Sequence, residues 1–260
     1  MKKAVFFDLD DTLLWDIRSV QTAFLKTCEY AAEQVIVNVE ELEKAVRDEA
    51  TKLYDSYETR PFTLLIGINP FEGLWGTFDD GTFSFPALNK IIREYQHQAW
   101  YNGLQKVGVD DSRLAKNLAN RFIKERIKHP FVYEDTFPVL DALKNTYSLV
   151  LITNGAPSLQ NMKLSLTPQL RPYFDHIIIS GEFGEGKPNS LVFQTALQRT
   201  GLSPTEVWMV GDNLKTDILG ANEIGIDTIW INHHNMEAPE HITPTYTVKG
   251  LNGILPIINE

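Results

Sequence analysis

The chain has 260 residues, of which 43% are hydrophobic and 22% are charged, and this composition excludes an intrinsically disordered protein. The formal net charge of −10 argues against binding to the phosphate backbone of a nucleic acid, because proteins that do so present a basic face. No run approaches the roughly 18 apolar residues of a membrane helix, and the single cysteine, Cys28, excludes an internal disulfide bond and favours a cytoplasmic protein.

Short apolar segments predict a parallel β-sheet. The first, Val5–Asp8, is aromatic and β-branched without alternation, which is typical of a strand buried on both faces. The second is Tyr147–Thr153, and from there strands alternate with helices at short intervals. Such alternation is typical of a Rossmann-like α/β fold, in which helices cover both faces of a parallel sheet. The further predicted elements are a helix at 158–166, a strand at 176–180, a helix at 188–200, a strand at 207–211, a helix at 216–223 and a strand at 228–232.

The long interval between the first two strands predicts an inserted domain. It spans roughly 140 residues, whereas a crossover between parallel strands needs only about a dozen. We therefore expect residues 16–129 to form a mostly α-helical cap domain, and residues 1–15 and 130–260 to form the α/β core. Within the insert, the pattern predicts helices over 16–58, a loop rich in proline, glycine and aromatic residues over 59–86, and helices near 88–107 and 112–128.

Two groups of side chains in the insert have competing interpretations. The aromatic residues of segment 59–86 are expected to pack it against the cap helices, and the alternative is that they line a substrate pocket; they are Phe71, Trp75, Phe78, Phe83 and Phe85. A basic run on the last helix of the insert is expected to be a solvated face, and the alternative is a contact with an anionic substrate; it comprises Arg121, Lys124, Arg126 and Lys128.

Polar residues that could bind a ligand or take part in a reaction follow the predicted strands. Ligands of open parallel sheets gather at the carboxyl ends of the strands, so these residues should converge on one edge. Acids this close together would repel one another unless a divalent cation were bound, and their hard oxygen ligands suit Mg²⁺. The converging set is Asp8 and Asp10 after the first strand, Thr153 and Asn154 at the end of the second, Lys187 after the third, and Asp212 and Asp217 after the fourth.

These motifs resemble those of the haloacid dehalogenase-like (HAD) hydrolases, in their phosphatase branch. The four motifs of that family occur in order: Asp8-Leu9-Asp10-Asp11-Thr12, then Thr153, then Lys187, then Gly211-Asp212 with Asp217. The resemblance is close over residues 1–15 and about 130–232, whereas the insert matches the family's cap only in position and helical character.

The resemblance implies a role for each residue. Asp8 would be the nucleophile that forms an aspartyl-phosphate, and Asp10 would protonate the leaving oxygen and then activate water. Mg²⁺ would be held by Asp8, Asp212 and the backbone carbonyl of Asp10, with support from Asp217. Thr153, Asn154 and Lys187 would bind the phosphoryl group.

Several functions share this fold. Phosphomonoester hydrolysis is favoured, because dehalogenases of the family typically lack an acid two residues after the nucleophile and phosphomutases usually have glycine where this chain has Asp11. A catalytically silent binding module is the alternative from another class. The expected substrate is a small phosphorylated metabolite, because a cap that hinges over the strand ends would admit only small molecules. Among the substrates of similar capped relatives, phosphoserine or a nucleoside 5′-monophosphate is favoured. The sequence does not decide between a monomer and a dimer.

Overall fold

A computed structural model describes residues 1–259, and the chain within it forms two compact units. The α/β unit comprises Met1–Asp16 and the chain from Val132 onward, and the helical unit comprises Ile17–Phe131. The boundaries predicted from the sequence lie one or two residues from these. None of the helices described is both long and apolar enough to cross a membrane.

The α/β unit is built on a six-stranded sheet in which every neighbouring pair of strands is parallel. The strand order is β3-β2-β1-β4-β5-β6, so β1 lies between β2 and β4. This arrangement confirms the predicted parallel sheet and brings the ends of three predicted strands side by side. The strands are β1 (Ala4–Phe7), β2 (Ser148–Thr153), β3 (His176–Ile179), β4 (Val207–Gly211), β5 (Asp227–Ile231) and β6 (Tyr246–Val248).

Alternate side chains of the strands point into two separate apolar cores. Val5 and Phe7 of β1 belong to one core, and Ala4 and Phe6 belong to the other. A strand that is buried on both faces must be apolar at every position, which explains the absence of alternation in its sequence. The helices of this unit are α7 (Thr136–Leu143), α8 (Pro157–Leu166), α9 (Ser190–Thr200), α10 (Leu219–Glu223) and α11 (Ile254–Ile258).

Three elements of the α/β unit are absent from the sequence prediction. They are β6, α7 and α11, of which β6 has only three residues and α11 only five. The side chains of β6 are exposed or half-buried, so this edge strand has no apolar run that could reveal it. The helix predicted at 216–223 is two elements, a π-helical turn at Leu214–Ile218 followed by α10.

The helical unit contains six helices among the residues described. Two of them, α2 and α5, pack so closely that a Cβ atom at Gly103 would overlap Val46. Close helix packing of this kind requires a residue without a side chain. The helices are α1 (Asp16–Gln34), α2 (Val39–Asp55), α3 (Arg60–Ile66), α4 (Pro70–Gly73), α5 (Phe85–Lys106) and α6 (Ser112–Lys128). Asp16, the first residue of α1, is also the last residue of the first segment of the α/β unit.

Segment 59–86 differs from the predicted loop, because it contains α3 and α4. Both are short, and each has a proline in its first turn, so neither has an apolar period long enough to identify it from sequence. Its aromatic residues pack as expected within the helical unit: Phe78 and Phe85 are fully buried, and Phe71 contacts Phe24 edge to face at 5.7 Å. Phe83 is the exception, with 56% of its surface exposed.

The basic run on α6 is a solvated face only in part. Lys124 and Lys128 are exposed, as predicted. Arg126 is buried, with its guanidinium 4.6 Å from the centre of the Trp75 ring, so the prediction is wrong for this residue. The long apolar stem of an arginine and its cation–π contact make such burial tolerable.

Candidate active site

The carboxyl ends of β2, β1 and β4 bring the predicted site residues together. Asp8 follows β1 directly, and its N–H continues the sheet by donating to the carbonyl of Val210 at 3.0 Å. Thr153 is the last residue of β2, and Asp212 follows the last residue of β4. Because β1 lies between β2 and β4, Asp8, the candidate nucleophile, lies between Thr153 and Asp212.

Lys187 joins this group through its side chain. Its Nζ donates to Asp8 Oδ1 at 2.5 Å and to the backbone carbonyl of Ile152 at 2.7 Å, and it lies 2.7 Å from Asp217 Oδ1. The lysine is only 4% exposed, so its charge depends on these two carboxylates rather than on water.

The amide of Asn154 holds Lys187 in place. Its Nδ2 donates to the carbonyl of Lys187 at 2.9 Å, and its Oδ1 accepts from the N–H of Lys187 at 2.8 Å. A Cβ atom at the neighbouring Gly186 would lie 2.6 Å from Asn154 Oδ1, so only glycine fits there. The side chain of Asn154 therefore contacts the lysine backbone, and its predicted contact with substrate stays a prediction.

Three carboxylates lie close enough together to share one cation. Asp8, Asp212 and Asp217 each offer an oxygen within 4.8 Å of those of the other two. Asp217 is buried, its Oδ2 accepts from the N–H of Asn213 at 3.1 Å, and a Cβ atom at Gly211 would overlap its carboxylate. The N–H of Asp212 donates to Thr12 Oγ1 at 3.1 Å, which links this loop to the end of β1.

Burial and neighbouring charges shift the pKa values of the acids and the lysine. Burial raises the pKa of Asp8 to about 6, against the lowering effect of Lys187 and with a further increase from Asp217. Burial, followed by repulsion from Asp8 and Asp217, raises the pKa of Asp212 to about 9. Burial alone would lower the pKa of Lys187, but Asp217 and Asp8 more than offset it and hold that pKa above its usual value.

These observations fit a divalent metal ion. Four acids face two buried lysines, Lys187 and Lys163, at this edge, so two negative charges remain uncompensated when all six groups are ionised. Burial, with repulsion from neighbouring acids added to it, raises the pKa values of Asp8 and Asp212, so these carboxylates retain protons while no further cation is bound. Hard oxygen donors with two excess charges match what Mg²⁺ requires.

Asp10 has different partners from the other three acids. Its Oδ2 accepts from Lys163 Nζ at 2.7 Å and from Gln160 Nε2 at 3.0 Å. Its carboxylate is not one of the three that lie together, so any contribution to a metal would come from its backbone carbonyl. Burial, opposed by Lys163, raises the pKa of Asp10.

The sequence prediction missed three residues at this site. Thr12 lies inside the first motif, but Gln160 and Lys163 are on α8, outside all four motifs. Gln160 Nε2 also donates to Thr153 Oγ1 at 2.5 Å. Their only sequence signal is a spacing of three residues on a helix that follows a strand of the site, and many solvent-facing pairs share that spacing.

Comparison with known proteins gives a consistent result. The family model for the haloacid dehalogenase-like hydrolases matches residues 2–225. The chain is 33% identical to the phosphoserine phosphatase of Thermus thermophilus over 252 residues, which cover 97% of each chain. It is also 33% identical to the pyrimidine 5′-nucleotidase YjjG of Escherichia coli over 180 residues, which are 69% of this chain and 75% of that protein.

Among solved structures, the putative HAD-hydrolase YfnB of Bacillus subtilis, bound to magnesium, has a similar fold. Its TM-score is 0.69 at 20% sequence identity, and the match covers 100% of this chain and 99% of that one. The order of the motifs, the parallel sheet that brings them together and the extent of the family match agree. This chain belongs to the haloacid dehalogenase-like hydrolases.

Proposed function

We propose that this protein is a Mg²⁺-dependent phosphatase that hydrolyses a small phosphomonoester through an aspartyl-phosphate on Asp8. The observation that carries the proposal is the contact of Asp8 with Lys187, at 2.5 Å, beside two further carboxylates within 4.8 Å. Hydrolysis of phosphoric monoesters, the enzyme class predicted from the sequence, is confirmed by phosphatase and nucleotidase relatives of this chain.

Asp8 is placed to act as the nucleophile. One of its oxygens forms a bond to phosphorus as the bond between phosphorus and the leaving oxygen breaks, and this divides a difficult hydrolysis into two easier steps. Asp8, Asp212 and the backbone carbonyl of Asp10 would hold Mg²⁺, with support from Asp217. When bound, the metal supplies positive charge that makes the attack of one anion on another feasible.

Asp10 carries the proton in this proposal. It gives a proton to the leaving oxygen in the first step and takes one from water in the second, as the water oxygen bonds to phosphorus and the bond from Asp8 breaks. The raised pKa of Asp10 supports this role, because an acid must be protonated at the working pH before it can donate.

Lys187 and Thr153 would hold the transferring phosphoryl group. The ammonium group of Lys187 already lies on Asp8 and is buried, so its charge is fixed close to the reacting oxygen. The Thr153 hydroxyl accepts a hydrogen bond from Gln160 at 2.5 Å, which leaves its own hydrogen to be donated to an acceptor. Asn154 completes the phosphoryl site in this proposal.

The substrate is proposed to be phosphoserine or a nucleoside 5′-monophosphate. The names of the two relatives at 33% identity support these two classes. Residues 17–131 would act as the cap that restricts access to small molecules.

The proposal is tested by hydrolysis of p-nitrophenyl phosphate with Mg²⁺, with a chelator, and by Asp8→Asn. We expect hydrolysis that needs the metal and is lost in the variant, whereas turnover that survives Asp8→Asn would contradict the role of Asp8. The wild-type protein is then offered O-phosphoserine, nucleoside monophosphates, a sugar phosphate and a 2-haloacid. Isomerised sugar phosphate would favour a phosphomutase, and released halide would favour a dehalogenase.

A further inference from the structure

Helix α8 presents two buried polar side chains to Asp10. Lys163 Nζ lies 2.7 Å and Gln160 Nε2 lies 3.0 Å from the same carboxylate oxygen, Oδ2. The two residues are three positions apart, so they occupy neighbouring sites on one face of the helix. Gln160 is fully buried and Lys163 is 4% exposed.

Packing alone does not explain this pair. A buried lysine carries a large desolvation cost, which an apolar residue of similar length would avoid. Its charge is compensated here by Asp10, whose other oxygen, Oδ1, has no hydrogen-bond partner among residues 1–259 although it is buried. Both donors therefore contact one oxygen of the carboxylate, and the second oxygen has no hydrogen bond within the described part of the chain.

Gln160 also connects two residues with different predicted roles. The same Nε2 that contacts Asp10 donates to Thr153 Oγ1 at 2.5 Å. A hydroxyl that accepts from this side must direct its own hydrogen elsewhere, and its acceptor within the protein, the carbonyl of Asn154, is 3.4 Å away. The Thr153 hydrogen is therefore only weakly engaged by the protein.

We propose that Lys163 and Gln160 are positioning residues for the two chemical steps, an inference that rests on the proposed function. Lys163 fixes Asp10 through Oδ2, so that Oδ1 exchanges the proton first with the leaving oxygen and then with water. Gln160 shares that task and also orients the Thr153 hydroxyl toward a phosphoryl oxygen. Lys163 therefore acts through Asp10 alone, whereas Gln160 acts through both Asp10 and Thr153.

p-Nitrophenyl phosphate separates these steps, because p-nitrophenolate leaves without being protonated. With this ester kcat/KM reports phosphoryl transfer to Asp8, whereas hydrolysis of the aspartyl-phosphate still requires Asp10 to accept a proton from water. We expect Lys163→Met to lower kcat by about 100-fold, the scale of general acid–base catalysis, with kcat/KM unchanged within about threefold and a burst of one p-nitrophenolate per enzyme.

The other variants have distinct expected results. Lys163→Arg, which keeps a donor and a positive charge, should recover kcat to within about tenfold of wild type. Gln160→Met should lower both kcat and kcat/KM, by about tenfold or more, because the Thr153 hydroxyl loses its orientation in the first step. The matched control is Lys144→Met, which removes a lysine from a 2.6 Å ion pair with Asp141 on the surface of the same unit and should change neither constant.

A parallel fall of kcat and kcat/KM in Lys163→Met, or no fall at all, would overturn the positioning role. If Lys163→Met fails to fold, kcat and kcat/KM are measured for Lys163→Gln instead. A fall in kcat alone supports the positioning role, and a parallel fall or no fall overturns it. Failure of the proposed function is distinguished by the wild-type protein and Asp8→Asn in the same series. In that case the wild-type protein does not turn over the ester, or the Asp8 variant does.

Discussion

The two units of this molecule both bury charged side chains, but they do so in different ways. In the α/β unit, the buried charged residues among those described all lie at one edge of the sheet: Asp8, Lys163, Lys187 and Asp217. In the helical unit they are Glu72, Glu125 and Arg126, which serve local structure. Glu125, for example, is held by Arg121 at 2.7 Å and by His129 at 3.0 Å, both on its own helix or directly after it.

The comparison shows that burial of charge alone does not identify a site. The carboxylate of Glu72 accepts a hydrogen bond from the N–H of Asn69 at 3.0 Å, so this buried acid caps helix α4. At the sheet edge, by contrast, like charges are buried together, and burial with added repulsion from neighbouring acids raises the pKa values of Asp8 and Asp212. A group of acids that repel one another has no structural benefit without a cation.

The largest expected effect contrasts an acid of each unit. Asp212→Asn should lower activity by about 10³-fold, the scale of losing an electrostatic stabiliser of the transition state. Because the pKa of Asp212 is about 9 without metal, the residue is already mostly neutral at pH 7, so the stability of the metal-free protein should hardly change. Glu125→Gln should do the reverse, with activity intact and stability lower. Steady-state kinetics and denaturant unfolding measure both, and equal effects of the two variants on activity would refute the contrast.

The next expected effect concerns the buried cation. Lys187→Met leaves Asp8 and Asp217 buried without their shared partner, which should cost about 3–5 kcal/mol of unfolding free energy. Arg121→Met is the counterpart in the helical unit; because Arg121 is 40% exposed, its loss should cost at most about 1 kcal/mol. Urea unfolding with a chelator present measures both variants, and similar losses would contradict the interpretation.

A smaller effect should appear when Mg²⁺ is removed. The folded-state pKa values of Asp8 and Asp212 lie above the ordinary value of 3.8, so the metal-free protein binds more protons than the unfolded chain between about pH 4 and pH 9. Its stability should therefore be greatest below about pH 4 with respect to these two groups, and should fall as the pH rises through about 6 and then about 9.

Magnesium should counteract that loss increasingly as the carboxylates ionise. At tenfold excess over its dissociation constant it should stabilise the protein by about 1.4 kcal/mol, or a rise in Tm of about 3 to 6 °C for a chain of this size. Thermal unfolding at pH 5, 7 and 9, with Mg²⁺ or with chelator, tests this. A magnesium effect that shrinks as the pH rises would contradict it, and Asp212→Asn should abolish the effect.

The smallest expected effect is on the exposed basic residues of α6. Lys124→Ala and Lys128→Ala should each change stability by less than about 0.5 kcal/mol and leave turnover unchanged, because both side chains are solvated. A clear rise in KM for a phosphate ester would instead support the alternative that this face meets an anionic substrate.

Sequence reasoning succeeded where one residue type had one physical explanation. The buried strands were identified because Val5 to Phe7 must be apolar on both faces, and the acids were identified because they follow such strands directly. The parallel pairing of every neighbouring pair of strands confirms the predicted parallel sheet. The catalytic and metal-binding roles assigned to these residues stay predictions for the experiments above.

What sequence reasoning could not supply depends on tertiary contacts. The burial of Lys163 follows from where α8 meets Asp10, which lies 153 positions earlier in the chain. The spacing of α6 groups Arg126 with solvated residues, because nothing in it shows that the guanidinium packs over Trp75. The edge strand β6 has only three residues, and although all three are strand-favouring, so short a run does not predict the pairing with β5.

The two ends of the helical insertion are neighbours in each unit. Leu14 and Val132 form an antiparallel bridge in the α/β unit, and the N–H of Phe131 donates to Ser19 Oγ at 3.0 Å in the helical unit. The entropic cost of closing a loop between two chain positions rises only slowly with the length of the segment between them, so a long insertion with adjacent ends is tolerated. Each unit thus holds the two ends of the insertion together by its own contacts. We therefore expect that the insertion can be shortened, exchanged for another or replaced by a short turn while the strands of the α/β unit keep their pairing.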